Sequence, residues 1–408
     1  MTDDMTGWDH LNAAGGRLQQ LYQQGHLEDV LAGVAHCRAV MAEVADPPPT
    51  EGTVPAWGVR EDILSLGVVA AHGLGRWQEA LDLNAAVRQS QEDRRAGEVE
   101  RAVGWFNDYG PLLRLGKAQA ARELLYQCRA AFGRAQDITM MGNTLSALAD
   151  TDAHLGHYNL SVDQETDALR LKYQGTDAEA IAVSHYNLAN YLMRADDHPK
   201  AVWAHRLAAA VVRYQINSPR LATSVQSIGR LIGGAEQASR LLSDAGRAVE
   251  PTPTRSPMSF NDVCQTVDAL PGVRFTELVG VLPSRAESGQ AMIEAIMAMI
   301  DSARDSAVQE SLAAWEPVIS AMVVAAQPEA DERVASLVDD ALDELGKQHA
   351  WRELVAVLNR IQAGPDHHSA RTIADLDPVS AAVANRAIAA LAGEVTVDPT
   401  AWQVLVDA

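Results

Sequence analysis

A turn recurs along the first half of the chain at a nearly constant interval, and this recurrence limits the possible folds more than any other feature. The residues at the turn are Gly75, Gly116, Gly156 and Asp196, which are 41, 40 and 40 residues apart. Apolar residues at helical spacing flank each turn. A turn between two helical segments that returns at one period predicts a stack of helical hairpins.

Small residues keep a fixed distance from each turn. The residues five positions after the turns are Ala80, Ala121, Ser161 and Ala201. The residues twelve positions after the turns are Val87, Cys128, Ala168 and Ala208. Two helices approach closely only where the side chains at their crossing are small. The spacing therefore predicts that the second helix of each hairpin packs tightly against its neighbours.

The residues around these turns resemble the tetratricopeptide repeat. The resemblance rests on LGRWQEAL from Leu74, LGKAQAARELL from Leu115, LGHYNLSV from Leu155 and DHPKAV from Asp197, with a weaker copy, QGHLEDVLAGVAHC, from Gln24. The usual repeat is about 34 residues long. The longer period found here is similar to that of kinesin light chain repeats. This sequence departs from the family pattern at Asp108 and Asp152, where the family usually has apolar side chains.

The resemblance covers roughly residues 11–237 and implies an all-α fold: a right-handed α-solenoid of TPR-like helical hairpins followed by a C-terminal helical array or bundle. The composition agrees, since aromatic residues make up only 5% and strand-type alternation is nearly absent. The predicted solenoid spans residues 1–242, with hairpins at about 11–44, 60–95, 98–135, 140–175 and 181–217 and a cap at 221–242.

A segment that contains several prolines and threonines, residues 243–258, is predicted to link the solenoid to an acidic, all-helical C-terminal domain, residues 259–408. Ser259 and Ser284 each precede an acidic residue by three positions, which is the form of a capping box. Helices are therefore predicted to begin near residues 260 and 285. A homo-oligomer formed through this domain is one open alternative.

The chain has a net charge of −21, of which −13 lies in residues 251–408. Such a field repels phosphate backbones, and no basic stripe with interleaved aromatic residues offsets it, so no direct binding of nucleic acid is predicted. No apolar run reaches the roughly 18 residues of a membrane span, and the N-terminus lacks a basic region followed by an apolar core. We therefore predict a cytoplasmic protein without membrane insertion.

The sequence lacks the motifs GxxxxGK[ST], HExxH, CxxC and GxSxG, so we predict no catalytic residue, no metal site and no cofactor. The strongest remaining candidate for an enzyme site is the group Asp150, Asp152 and His154. Asp150 and His154 share a helical face at a spacing that can hold a metal ion or an acid–base pair. Polar residues are equally ordinary on the first helix of a repeat, and two ligands alone are weak evidence.

The resemblance implies that the first helix of each repeat lines a concave groove, and the turns give the register of its exposed positions. The predicted partner-binding residues are Phe106, Asn107, Arg114, Asn143, Ser146, Asp150, His154, Tyr186, Asn187, Asn190, Met193 and Arg194. Asparagine is a poor helix former, but its amide offers a donor and an acceptor to a peptide backbone. The two arginines occupy one register and can engage a carboxylate. Solvated polar residues along an empty groove are the alternative.

These features predict a protein–protein interaction scaffold or adaptor that binds a peptide segment or a partner protein in the groove. One alternative is a peptide-responsive regulatory protein whose output is another protein. Another is an enzyme with an unrecognised site near Asp150, Asp152 and His154. Chaperone-binding repeat domains use a lysine-rich clamp for carboxylates, but Phe106 or Tyr186 fills that place here, so the resemblance does not extend to that specificity.

Overall fold

The structure is a computed structural model that describes residues 7–44, 56–195, 199–244, 258–327, 332–348, 351–363, 373 and 376–406. Within these ranges the regular secondary structure is helical, and no strand occurs. The chain divides into two compact units, residues 1–205 with 266–276 and residues 206–265 with 277–408. The predicted all-α fold is confirmed.

The first unit is a series of helical hairpins. Its helices are α1 (Gly7–Gln23), α2 (Leu27–Glu43), α3 (Ala56–Gly73), α4 (Trp77–Asp93), α5 (Glu98–Phe106), α6 (Tyr109–Arg114), α7 (Ala118–Ala135), α8 (Ile138–His154), α9 (Tyr158–Lys172), α10 (Ala178–Arg194) and the first part of α11 (Pro199–Gln215). Neighbouring hairpins pack side by side, so that α1 and α2 contact α3, α4 contacts α5 and α6, α7 contacts α8, and α9 contacts α10. This arrangement confirms the predicted α-solenoid of helical hairpins.

The turn glycines adopt the left-handed backbone conformation, with φ of +80° at Gly25, +70° at Gly75, +72° at Gly116 and +83° at Gly156. After each glycine, the next residue donates its N–H to the carbonyl oxygen five positions back, as His157 does to Asp152 at 2.8 Å. This is the Schellman motif, which satisfies carbonyl groups that the end of a helix leaves unpaired. The remaining turn marker, Asp196, lies outside the described residues.

The small residues at the predicted crossings are buried. Ala80, Ala121 and Ser161 are fully buried five positions after their turns, while Ala201 is half-buried. Cys128 and Ala168, twelve positions after theirs, are also buried. A larger side chain at these positions would separate the two helices, because protein cores have no spare volume to absorb it.

The first helix of the third hairpin is broken in two, which the sequence analysis did not predict. Helix α5 ends at Phe106 and α6 begins at Tyr109. Pro111 follows closely and has no N–H for the carbonyl of Asn107, so a continuous helix would lose that hydrogen bond. At the break, the buried carboxylate of Asp108 accepts a 2.5 Å hydrogen bond from Arg88.

The other helices are α12 (Leu221–Asp244), α13 (Phe260–Asp268), α14 (Phe275–Val281), α15 (Gly289–Ala325), α16 (Glu332–Gly346), α17 (Arg352–Ala363) and α18 (Pro378–Leu391), followed by a 3₁₀ helix at Ala401–Leu405. In the second unit, α15 packs against α16 and α18 around a core that contains Trp315, Ile319, Val338, Leu358 and Ala384. This is the predicted C-terminal helical array.

One of the two predicted helix starts in this region is wrong. Ser259 and Asp262 exchange hydrogen bonds from their backbone N–H groups, so the capping box at α13 is present. Ser284 instead donates to the carbonyl of Ala286, and the long helix begins only after Ser288, whose hydroxyl accepts from the N–H of Ala291. Most of the predicted linker 243–258 lies outside the described residues, and the domain boundaries stay predictions.

Candidate functional site

A cavity of about 380 Å³ lies in the first unit among the first helices of the third, fourth and fifth hairpins. Its walls are formed by Phe106, Tyr109, Asn143, Ser146, Ala147, Asp150, Lys172, Val183, Asn187 and Tyr191. Five of these were predicted as partner-binding residues, namely Phe106, Asn143, Ser146, Asp150 and Asn187. The structure therefore brings part of the predicted groove around one space.

Helical geometry explains why these side chains meet. On α8, Asn143, Ser146 and Asp150 are separated by three and then four residues, which puts them on one face of the helix. On α10, Asn187 and Tyr191 are four residues apart and share a face in the same way. The two faces line the same cavity because α9 packs against both helices.

A partly buried hydrogen-bond network lies at one wall. Lys172 Nζ donates to Ser146 Oγ and to Ser184 Oγ, each at 2.7 Å. Ser146 Oγ in turn donates to Glu165 Oε1 at 2.9 Å. A serine hydroxyl thus connects the ammonium group to the carboxylate. The network joins three helices, since Ser146 lies on α8, Lys172 and Glu165 on α9, and Ser184 on α10.

The pKa values in this network are shifted as burial requires. Glu165 is fully buried, and burial raises the pKa of its carboxyl group while the charge of Lys172 opposes that rise. Burial lowers the pKa of the Lys172 ammonium, and the charge of Glu165 opposes that fall. Removing a charge from water is costly unless an opposite charge and hydrogen bonds replace the solvent. Lys172 and Glu165 therefore compensate each other.

Asp150 lies in the lining one helical turn after Ser146, near the phenols of Tyr109 and Tyr191. Burial raises the pKa of its carboxyl group, with His154 and Arg114 acting in the other direction. Burial also raises the phenol pKa values of Tyr109 and Tyr191, and the charges of Asp150 and Glu165 add to both shifts. The cavity lining thus combines aromatic side chains with one carboxylate, that of Asp150.

The structure does not bring Asp150, Asp152 and His154 together as one site. Residues two apart on a helix point to different sides. Asp152 is fully buried away from the cavity, where Arg122 Nε lies 3.1 Å from Oδ1 and Gln164 donates to Oδ2 at 2.9 Å. The ion pair with Arg122 accounts for a carboxylate at a position that the family usually fills with an apolar side chain. In the part of the chain described, no group of three His, Cys, Asp or Glu side chains is placed to hold a metal ion.

The two predicted arginines share one structural relationship. Arg114 lies over the ring of Trp77 at 5.9 Å, and Arg194 lies over the ring of Tyr158 at 5.7 Å. In both pairs the arginine stands two residues before a turn, and the aromatic residue stands two residues after the preceding turn. Neither arginine lines the cavity. Their cation–π contacts connect consecutive hairpins.

The remaining predicted residues lie outside the cavity lining. Asn107 is exposed at the break after α5, and Met193 is exposed near the end of α10. Tyr186 and Asn190 are half-buried on α10. The Nδ1 atom of His154 lies 2.8 Å from the carbonyl oxygen of Asp150, one turn earlier on the same helix.

Sequence reasoning missed Tyr109, Ala147, Lys172 and Tyr191. Tyr191 follows Asn187 by four residues, so the helical period could have identified it. Lys172 belongs to the second helix of its hairpin, whereas the groove was predicted from first helices only. No local pattern indicates that its side chain reaches the cavity.

A second cavity, of about 500 Å³, lies between α1 and α3. It is lined by Asn12, Gly15, Gly16, Gln19, Val59, Asp62, Ile63, Ser65, Leu66 and Val69. Helices α1 and α3 are also the first helices of their hairpins, but Asp62 is the one charged residue in this lining.

Among all the helices that the structure describes, none is both long enough and apolar enough to cross a bilayer.

No protein-family model matches the sequence, and no curated protein does either. Among solved structures, one that is similar is a crystal structure from Podosopora anserina, described as a kinesin light chain with nearly identical TPR-like repeats. The two chains are 15% identical with a TM-score of 0.42, and the likeness covers 52% of this chain and 99% of that one.

Proposed function

We propose that this chain is a protein–protein interaction scaffold that binds a peptide segment, or a segment of a partner protein, against the first helices of its hairpins. The observation that supports this most directly is the cavity among α5, α6, α8 and α10. Five residues chosen from the sequence as groove residues line it together. Concave sites with aromatic walls and a few placed polar groups are typical of binding sites in proteins.

The lining suits a peptide. The amides of Asn143 and Asn187 each offer a donor and an acceptor, as a peptide backbone requires. Phe106, Tyr109 and Tyr191 offer aromatic surface that a partner side chain can cover. These residues stand on helices, which fix their positions better than loops would.

A double variant tests the proposal. Asn143→Ala with Asn187→Ala removes two amides from the lining, while Asn159→Ala removes an exposed amide on α9 as a matched control. A partner is first obtained by affinity capture from the native organism, and its affinity for each purified variant is then measured. We expect the double variant to bind at least about tenfold more weakly, a loss of about 1.4 kcal/mol, and the control to bind like the original chain.

Thermal unfolding of each variant must be followed in parallel, because a misfolded variant would also lose its partner. If the double variant keeps both its unfolding midpoint and its affinity, the groove is not where the partner binds. We further propose a cytoplasmic location. We also propose no direct contact with nucleic acid, because the net charge of −21 repels phosphate backbones.

A further inference from the structure

Two charged side chains line the cavity, and only Lys172 makes hydrogen bonds with its charged group. Lys172 donates to two serine hydroxyls and has the Glu165 carboxylate behind Ser146. Asp150 accepts no hydrogen bond at its carboxylate from any of the described residues. The Asp150 side chain is 43% exposed and pairs with His154, whose Nδ1 lies 3.4 Å from Oδ1 and 2.8 Å from the Asp150 carbonyl oxygen. The carboxylate therefore retains its capacity to accept hydrogen bonds.

The other cation whose charge acts on Asp150 is already placed elsewhere. Arg114 lies over the ring of Trp77, is exposed and does not line the cavity. The charged group of the lining that accepts no hydrogen bond is thus negative. A ligand that satisfies it must bring a cation with hydrogen-bond donors.

Three aromatic side chains share the cavity lining with this carboxylate. The rings of Phe106 and Tyr109 are 5.2 Å apart at a tilt, and Tyr191 is a buried member of the same lining. A cation is attracted to the face of such rings. A guanidinium group combines both interactions, because it is planar, stacks on aromatic rings and donates two parallel hydrogen bonds to a carboxylate.

The cavity is large enough for a long side chain of a bound segment. Its volume of about 380 Å³ is at the low end of the about 300–1,000 Å³ of small-molecule sites. The net charge of −21 also attracts basic segments at long range. We propose that this cavity receives an arginine side chain of the bound segment, paired with Asp150, an inference that rests on the proposed function.

A peptide selection tests this inference. Random peptides displayed on phage are selected on the full-length chain, and the enriched peptides are synthesised with each arginine either kept or replaced by citrulline, its near-isosteric neutral analogue. Binding is measured for the original chain, for Asp150→Asn, for Asn187→Ala, and for Asp163→Asn. Asp163 is an exposed carboxylate on α9 outside the lining, so its variant is a control with the same change in charge.

We expect citrulline to weaken binding to the original chain and to Asp163→Asn by about tenfold or more, because it cannot form charge-assisted hydrogen bonds with the carboxylate. On Asp150→Asn, the arginine and citrulline peptides should bind about equally. Equal binding of the two peptides to the original chain would overturn the inference, and so would enrichment of acidic peptides.

The outcomes separate this inference from the proposed function. Peptides that lose affinity on Asn187→Ala but are insensitive to citrulline and to Asp150→Asn refute the arginine site and leave the groove in place. Peptides that bind all variants equally refute the groove itself. If no peptide is enriched, binding of ethylguanidinium is measured by saturation-transfer NMR instead. We expect a saturation-transfer signal with the original chain that is lost on Asp150→Asn. A signal that is absent from the original chain, or that is unchanged on Asp150→Asn, would refute the arginine site.

Discussion

The Nδ1 atoms of His185 and His205 lie 2.8 Å apart, and both side chains are buried. On the other side of the His185 ring, Nε2 lies 2.8 Å from the hydroxyl of Tyr173, and the ring of Phe275 stands edge-on at 6.0 Å. Only one of two neighbouring Nδ1 atoms can donate, so the pair is satisfied when both imidazoles are neutral. Burial lowers the pKa of both histidines, and that of His205 falls to about 4.

This pair predicts that the first unit loses stability in acid. The unfolded chain takes up protons at these histidines below about pH 6.5, while the folded chain resists protonation of His205 until about pH 4. Stability is therefore fully present above pH 6.5 and falls as the pH drops from 6.5 to 4. The shift at His205 corresponds to about 3 kcal/mol. Thermal unfolding midpoints across this range measure it.

A matched pair of variants isolates the contribution of His205. His205→Gln keeps a hydrogen-bonding side chain that does not titrate, so the decline between pH 6.5 and 4 should become shallower. His36→Gln changes an exposed histidine on α2 in the same way and should leave the curve as it is. If the two variants have the same pH dependence, the buried pair does not cause the acid sensitivity.

Two glycines predict opposite effects of the same substitution. Gly156 has φ of +83° and open space around the position of a Cβ atom, so Gly156→Ala meets only backbone strain and should destabilise by about 1 kcal/mol. Gly133 lies inside α7 with similar open space, so Gly133→Ala should stabilise by about 0.5–1 kcal/mol. Urea unfolding measures both. A Gly156→Ala variant as stable as the original chain would show that the turn can change its backbone conformation.

The connection between Lys172 and Glu165 predicts non-additive variants. Lys172→Met leaves the Glu165 carboxylate buried without its counter-charge. Breaking a fully buried pair lowers the free energy of unfolding by about 3–5 kcal/mol. Because Lys172 is only half-buried, we expect a smaller loss of stability. Adding Glu165→Gln removes the uncompensated charge. The double variant should then lose less than the sum of the single variants, by about 1 kcal/mol.

Urea unfolding of the four chains in this cycle gives the coupling free energy. Lys200→Met, at an exposed lysine at the start of α11, controls for the loss of a positive charge and should change stability little. Strict additivity of Lys172→Met and Glu165→Gln would mean that the serine-bridged connection carries no energy.

The three cysteines should differ in reactivity. Cys37 and Cys128 are buried, and burial raises the pKa of both thiols, that of Cys128 to about 12. The thiolate is the reactive form, so these two should resist thiol reagents. Cys264 is partly exposed. A disulfide reagent should therefore titrate about one thiol in the native chain and all three in denaturant, and the native signal should vanish in Cys264→Ser.

Much of the fold was predictable because its signals are local. The turn glycines act through steric limits on their own φ angles, and the small residues follow them at constant spacing, so both can be read along the chain. The break between α5 and α6 also has a local cause in Pro111. It was missed because a proline near a helix end is compatible with several outcomes.

The candidate site was only partly predictable. Asn143, Ser146 and Asp150 follow from the helical period on α8 once the groove face is assumed. Asp152 is close to Asp150 in sequence and was grouped with it as a candidate site, yet its carboxylate pairs with Arg122 in the core. The choice between these two environments depends on which helices flank α8, and sequence spacing carries no information about them.

The sequence by itself determined the all-α fold, the hairpins and the places where the chain reverses, because these depend on hydrogen bonds and backbone sterics within a few residues. Only the tertiary structure decided that Lys172 reaches Ser184 on the next helix, and that Asp150 and Tyr191 line one cavity. Such contacts between side chains of different helices depend on the rotation and translation of each hairpin relative to the next. The packing of many core side chains sets these jointly, so no single stretch of sequence specifies them.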